Sequence, residues 1–157
     1  MSEAQQIFYY LGVALAIGLL IGLERGWKER EAKEGSRVAG VRTYGLIGLL
    51  GGGSALLAEE FGSVVLGLAF IGVAGALTTV YVVNLPRGDA DVGITSLVTG
   101  LLTFVFGVLA VMGEVAIAAA SAVVTTLLLS YKPVLHHWVS ALEAKELRAV
   151  IKLLLIS

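Results

Sequence analysis

The chain has 157 residues, of which 57% are hydrophobic and 15% are charged, and its mean hydropathy is +0.91. This composition is too apolar for a water-soluble domain. Eleven Lys and Arg residues against twelve Asp and Glu give a net charge of −1, so no general positive field is available to hold nucleic acid. The absence of cysteine excludes disulfides, thiolate metal sites and a cysteine nucleophile.

Five apolar runs follow one another along the chain, separated by short polar joints. They cover residues 7–23, 43–58, 63–83, 92–113 and 115–131. Helices of about 16 to 22 residues extend roughly 24 to 33 Å, which matches a hydrocarbon core of about 30 Å. We therefore predict an all-α, polytopic membrane helix bundle with about five transmembrane helices. The second run contains Gly51-Gly52-Gly53, so this helix could break, tilt or enter the membrane only partly.

All eleven basic residues fall on one side of a five-span topology. They are Arg25, Lys28, Arg30, Lys33, Arg37 and Arg42 after the first run, Arg87 after the third, and Lys132, Lys145, Arg148 and Lys152 after the fifth. The opposite side carries Glu3, Glu59, Glu60 and Glu114. The positive-inside rule then predicts an inner-membrane protein with its N-terminus outside and its C-terminus in the cytoplasm. Aromatic residues near the inner helix ends, among them Trp27 and Tyr44, are typical of a membrane interface.

Residues 135–157 differ from the five runs. Trp138, Leu142, Leu147 and Ile151 recur at roughly helical spacing, with charged residues between them. We predict that residues 1–134 form the transmembrane domain and that residues 135–157 form an amphipathic helix at the cytoplasmic side. Since an apolar stretch begins at residue 153, we expect this helix to run into a truncated segment. A missing C-terminal membrane domain or a homo-oligomer would then complete the protein.

Pairs of small residues with a spacing of four are expected to support close helix packing. These pairs are Gly18/Gly22, Gly48/Gly52 and Gly72/Ala76. Small side chains allow the backbones of neighbouring helices to approach in lipid. The spacing does not decide whether the contacts form within the chain or with a second copy.

Charged residues lie next to the first glycine pair and at the entry to the second run. Glu24 and Arg25 stand where the first helix meets the cytoplasmic side, and Arg42 enters the second helix at a matching depth. An arginine at this depth either pairs with a carboxylate or extends to the lipid phosphates. We therefore expect either an Arg42–Glu24 pair or an Arg42 side chain at the phosphates.

Polar residues gather around the start of the fourth run. Asp91, Thr95 and Thr99 are spaced four apart and place oxygen atoms on one helix face, as hard cations such as Mg²⁺ require. The hydroxyl groups could equally bond back to their own helix, and Asp91 could simply favour the helix N-terminus. Further polar residues in this region are Asn84, Asp89, Ser96 and Thr103. No arrangement of nucleophile and base and no nucleotide fingerprint is visible, so the sequence gives no support to an enzyme.

Three patches together resemble the MgtC/SapB family of bacterial membrane proteins. They are Ile21-Gly22-Leu23-Glu24-Arg25, Arg42-Thr43 and Gly93-Ile94-Thr95-Ser96. The resemblance covers roughly residues 7–131 and implies an inner-membrane protein of magnesium homeostasis, either a Mg²⁺ transporter or a regulatory protein. It also implies a longer subgroup in which a second membrane domain follows. Ser96 stands where a second Thr is usual and Tyr44 where His is frequent, so a role that depends on His is not carried over.

The residues and the resemblance together suggest a cation site between helices 1 to 4, near the cytoplasmic side. Its expected metal ligands are Glu24 and Asp91, with Arg25 and Arg42 holding the carboxylates in position. Further polar groups would come from Thr43, Asn84, Thr95, Ser96 and Thr99. Mg²⁺ would be a substrate or ligand, and no other cofactor is expected. Two alternatives stay open: a regulatory or oligomerising membrane module without transport, and a proton- or anion-coupled carrier in which the arginines bind an anion.

Overall fold

The computed structural model describes residues 2–28, 40–84, 90–131, 152–153 and 155–156, without the side chains of residues 28, 84 and 90–93. Five α-helices make up most of these residues. They are α1 (Glu3–Lys28), α2 (Val41–Phe61), α3 (Ser63–Asn84), α4 (Ala90–Val111) and α5 (Val115–Ser130). No strand occurs in the described ranges, and the predicted all-α helix bundle is confirmed. The boundary predicted at residue 134 and most of the predicted helix 135–157 lie outside the described residues.

Helix length and composition distinguish four of these helices from the fifth. α1, α2, α3 and α4 each contain an apolar window long enough to cross a membrane. α5 is also apolar, but its 16 residues fall below the usual length of about 17 to 25 for a transmembrane helix. α2 continues without interruption through Gly51-Gly52-Gly53, so the break considered for this helix does not occur.

Contacts between glycines and neighbouring backbones show that α1 and α2 are antiparallel. Gly22, near the end of α1, packs against Val41 at the start of α2, whereas Gly48 in the middle of α2 packs against Ala14. The ends of α5 and α1 also lie side by side, so these two helices run in the same direction. The directions of α3 and α4 follow from two further contacts.

α2 and α4 are parallel, because Tyr44 and Ser96 near their starts are hydrogen-bonded. α3 runs opposite to α4, because Phe70 lies beside Phe104 and Leu77 lies beside Gly100. The chain therefore alternates in direction from one helix to the next.

Charged residues separate along the bundle. Arg25 and Arg42 lie at one end, where Glu24 also lies, and we name this the basic end. The acidic end carries Glu3, Glu59, Glu60 and Glu114. Among the residues that the structure describes, the arginines therefore lie at the opposite end of the folded bundle from these four glutamates, as the sequence predicted.

α4 is the central helix. It packs against α1 and α2, while α3 covers the side of the α2/α4 pair and α5 covers the side of the α1/α4 pair. Two buried apolar clusters fill these two sides. One includes Ile17, Ile21, Phe106, Ala110 and Ala118, and the other includes Ile47, Leu77, Phe104, Val108 and Val111. The face of α4 between the two clusters is directed at α1 and α2, and it carries the buried polar residues of this helix.

Candidate functional site

Ser96 of α4 accepts hydrogen bonds from two other helices. The Arg25 guanidinium of α1 donates from Nη2 to Ser96 Oγ over 2.6 Å, and the Tyr44 hydroxyl of α2 donates to the Ser96 carbonyl oxygen over 3.1 Å. Arg25 is 6% exposed, Ser96 1% and Tyr44 0%. Because a buried polar group costs free energy unless it is hydrogen-bonded, these contacts fix α1 and α2 against α4. We name these three residues the Ser96 cluster.

The two arginines at the basic end occupy different environments. Arg25 is buried in the Ser96 cluster, whereas Arg42 is exposed. No hydrogen bond or ion pair joins Arg42 to Glu24 in the described part of the chain, so the pair considered from the sequence is not formed. Helix geometry gives the reason, because residues two positions apart point roughly 200° apart around an α-helix. With Tyr44 directed inward, Arg42 must point outward.

Tyr44 corrects one sequence-based expectation. Its position near an inner helix end predicted a ring at the membrane interface, but the ring is completely buried and its hydroxyl is bonded to Ser96. Tyr44 and Gly48 are four residues apart on the face of α2 that packs against α1. The spacing of Tyr44 with the glycines of α2 was the signal that could have placed it inward.

Glu24 lies against α5. Ser130 Oγ donates to Glu24 Oε1 over 3.4 Å, and Glu24 Oε2 is shielded from solvent. Glu24 is therefore a half-buried carboxylate at the contact between α1 and α5, next to Arg25 in sequence. Sequence reasoning did not find Ser130, because 106 positions separate it from Glu24 and no local pattern connects them.

Three hydroxyl residues, Ser96, Thr99 and Thr103, follow one another along the buried face of α4, and we name them the hydroxyl face. Thr99 Oγ1 donates to the Thr95 carbonyl oxygen over 2.6 Å, and Thr103 Oγ1 donates to the Thr99 carbonyl oxygen over 2.8 Å. These bonds within the helix correspond to the structural alternative considered for the threonines. A hydroxyl oxygen that donates its proton still has lone pairs with which to accept a hydrogen bond or approach a cation.

The remaining predicted site residues divide into exposed and undescribed ones. Thr43 is exposed and Thr95 is half-buried. Asp91 and Asn84 belong to helix ends at the basic end, but their side chains, like all of Asp89, lie outside the described residues. Among the described residues, no group of three or more His, Asp and Glu side chains could hold a metal ion. Of the two predicted metal ligands, Glu24 and Asp91, Glu24 is therefore the one whose side chain the structure describes.

The glycines of the first two pairs pack inside the bundle. These are Gly18, Gly22, Gly48 and Gly52, and all four are buried. A Cβ atom at Gly22 would lie 2.8 Å from Val41 Cα, and one at Gly52 would lie 2.9 Å from Val111 Cγ2. In contrast, Gly72 and Ala76 of the third pair are exposed, and no atom lies within 4 Å of a Cβ placed at Gly72. Within one chain, the third pair makes no close helix contact.

A family model described as the MgtC family matches residues 11–138. This range extends from the first half of α1 to beyond α5 and includes the Ser96 cluster, Glu24 and the hydroxyl face. The chain belongs to the MgtC family. The resemblance inferred from the three sequence patches is confirmed, and MgtC membership identifies a multi-pass membrane protein associated with magnesium homeostasis. No curated protein and no solved structure matches the chain significantly.

The charges at the basic end of this MgtC protein bear on which ions it can bind. Glu24 and Arg25 carry opposite charges on adjacent residues, and Arg42 adds an exposed positive charge. The described side chains therefore supply no excess of negative charge at this end. Since carboxylate oxygens are common ligands of hard cations, a second acidic group would favour a cation site here. Asp91, in the first turn of α4, stands at this end of the bundle.

Proposed function

We propose that this MgtC protein binds Mg²⁺ at the basic end, in a polar site formed by α1, α4 and α5, as part of magnesium transport or magnesium homeostasis. The observation that supports the proposal best is the half-buried carboxylate of Glu24, one of whose oxygens is shielded from solvent while the other accepts a hydrogen bond from Ser130. Ionisable groups within a membrane bundle are costly to bury and usually serve an ion path or binding site. Glu24 therefore marks the site.

Two carboxylates, those of Glu24 and Asp91, would bind the cation. Arg25 directly follows Glu24 and brings an opposite charge to the same end of α1, so we assign the second negative charge to Asp91. Mg²⁺ gives up its waters reluctantly and often binds through one or two carboxylates while it keeps several of them. The hydroxyl oxygens of Thr95 and Thr99 would then accept hydrogen bonds from metal-bound water. Arg25, held by Ser96, would position α1 so that Glu24 faces the hydrated ion.

The orientation of the bundle determines which compartment supplies the ion. Basic residues flanking transmembrane helices favour the cytoplasmic side of the inner membrane. We therefore place the basic end, and with it Glu24, in contact with the cytoplasm. In this orientation the site binds Mg²⁺ at cytoplasmic concentrations.

Thermal unfolding of the purified protein in detergent tests the site directly. A ligand at about 100 times its dissociation constant stabilises the native state by about 2.7 kcal/mol, so Mg²⁺ should raise the melting temperature of the wild type. Glu24→Gln and Asp91→Asn should each abolish this rise, because each removes one of the charges that bind the ion. Glu59→Gln, at the exposed acidic end, is the matched control and should retain it.

Failure of Mg²⁺ to stabilise the wild type, or an equal rise in all three variants, would refute the site. Flux measurements in proteoliposomes then separate transport from regulation. Mg²⁺ flux that is present in the wild type and lost in Glu24→Gln supports transport. Stabilisation by Mg²⁺ without flux supports a regulatory protein that binds the ion and does not move it.

A second candidate function is an oligomerising membrane module, and the outward face of α3 favours it. Gly72, Gly75 and Ala76 are exposed, and no atom lies within 4 Å of a Cβ placed at either glycine. Small residues on a lipid-facing helix allow close contact with another helix. Under this hypothesis, Gly72→Leu should reduce the oligomer size measured by light scattering in detergent. Gly67→Leu, on the same helix and equally open but on another face, should leave the size unchanged.

A further inference from the structure

Backbone atoms of α1, α2 and α4 approach one another closely near the middle of the bundle. A Cβ atom at Gly51 would overlap the Phe104 carbonyl oxygen, one at Gly107 would overlap the Gly48 carbonyl oxygen, and one at Gly48 would overlap the Ala14 carbonyl oxygen. All five of these residues are buried, and we name them the glycine seam. Helices packed backbone to backbone leave no space for water between them.

The polar face of α4 ends at this seam. The hydroxyl face occupies positions 96, 99 and 103, and the next positions on the same helical face are Gly107 and Ala110, which carry no polar side chain. The buried polar side chains among the described residues are Arg25, Ser54, Ser96, Thr99 and Thr103. All except Ser54 lie between the basic end and the seam. Ser54 lies beyond it, and its hydroxyl donates to the Leu50 carbonyl oxygen of its own helix over 2.6 Å.

Apolar side chains close both flanks of the core at the level of the seam. Phe104 packs edge-on against Phe70 of α3, with ring centroids 5.6 Å apart, in the cluster on the α2/α3/α4 side. Phe106 and Ala110 belong to the cluster that joins α4 to α1 and α5. Neither cluster provides a polar route around the seam for a hydrated ion, which loses much free energy on leaving water.

We infer that the polar site of a single chain opens to the basic end alone, and that the glycine seam closes the α1/α2/α4 core toward the acidic end. The inference rests on the proposed function only in naming the occupant as a cation. Its structural claim is that the polar site of a single chain can be reached from one side of the membrane only. An ion could cross this core only if α2 separated from α1 and α4 at the seam.

The absence of native cysteine makes single-cysteine labelling a direct test. Thr95→Cys places a thiol at the half-buried rim of the site, while Arg42→Cys and Glu60→Cys report the two membrane faces. The whole chain is labelled in right-side-out and in inside-out vesicles with a membrane-impermeant, cationic methanethiosulfonate. Thr95→Cys should be labelled in the vesicles in which Arg42→Cys is labelled. It should not be labelled in the vesicles in which Glu60→Cys is labelled.

A fourth variant, Ser54→Cys, tests the seam from its other side. This thiol should be protected in the vesicles in which Arg42→Cys reacts, because the seam lies between the two positions. Reaction of Thr95→Cys from the Glu60 face, its failure to react from either face, or reaction of Ser54→Cys from the Arg42 face would each overturn the inference. The labelling needs no Mg²⁺, so its outcome is independent of whether the ion binds.

Discussion

Arg25 and Arg42 show how position on a helix decides the role of a side chain. Both lie at the basic end, but Arg25 shares a helical face with Gly18 and Gly22, which packs against a neighbouring helix, while Arg42 points away from the bundle. Hydrogen bonds to a charged group typically contribute about 1.5 to 3 kcal/mol. The bond from Arg25 to Ser96 also holds a cation whose burial would otherwise be costly.

We expect Arg25→Ala to lower the free energy of unfolding by about 1.5 to 3 kcal/mol, since it removes the charged hydrogen bond to the buried Ser96 hydroxyl. Arg42→Ala should change it by less than about 0.5 kcal/mol, because an exposed side chain away from special contacts contributes little. Thermal unfolding in detergent measures both. Equal effects of the two substitutions would show that the Ser96 cluster does not stabilise the bundle.

At the scale of the helix, α2 illustrates how neighbouring glycines differ in their surroundings. Gly51 faces α4, where an added Cβ would overlap the Phe104 carbonyl oxygen, whereas a Cβ at Gly53 would meet no atom within 4 Å. α2 remains continuous because its neighbours support it, although glycine is a weak helix former. Gly51 therefore has no space for a side chain, whereas Gly53, two residues further along, has space for one.

The two glycines give a matched pair of substitutions. Gly51→Ala should destabilise the protein by about 1 to 3 kcal/mol, because the backbones of α2 and α4 must move apart to admit the methyl group. Gly53→Ala should be neutral or stabilising by about 0.4 to 1 kcal/mol, because it restricts the unfolded chain without a clash. Both values come from unfolding in detergent. Similar losses for both variants would contradict the close contact between α2 and α4.

At the scale of the whole molecule, alternating helix directions place charges of opposite sign at the two ends of the bundle. Arg25 and Arg42 share one end, and Glu59, Glu60 and Glu114 share the other. The helix count determines this separation, because omitting one helix would place basic and acidic residues at the same end. The short α5 therefore matters for this separation of charge even though it falls below the length of a typical transmembrane helix.

We expect Arg42→Cys and Glu114→Cys to react with an impermeant maleimide from opposite faces of the membrane, with position 42 on the cytoplasmic face. Intact cells and inside-out vesicles distinguish the two faces. Glu60→Cys is the control for position 114, because both glutamates lie at the acidic end. Labelling of positions 42 and 60 from a single face would contradict the arrangement of helices described here.

The sequence alone determined the helices, their alternation, the sorting of charge and the family. Long apolar runs in lipid must form helices, since every backbone polar group needs an internal partner, and these runs are read directly from residues 7–131. The glycine pairs within α1 and α2 also indicated where backbones approach. These properties depend on composition and spacing along a single helix.

Only the tertiary structure decided which side chains meet. The sequence left open whether Arg42 pairs with Glu24 or extends to the lipid phosphates, and it did not indicate that the fold brings Arg25 to Ser96 and Ser130 to Glu24. In a soluble protein a polar outer face would have shown which side of each helix is buried. In lipid, both the outer and the inner side of a helix are apolar, so hydrophobic periodicity does not orient it. The orientation comes from contacts between residues far apart in the chain, which local spacing does not encode.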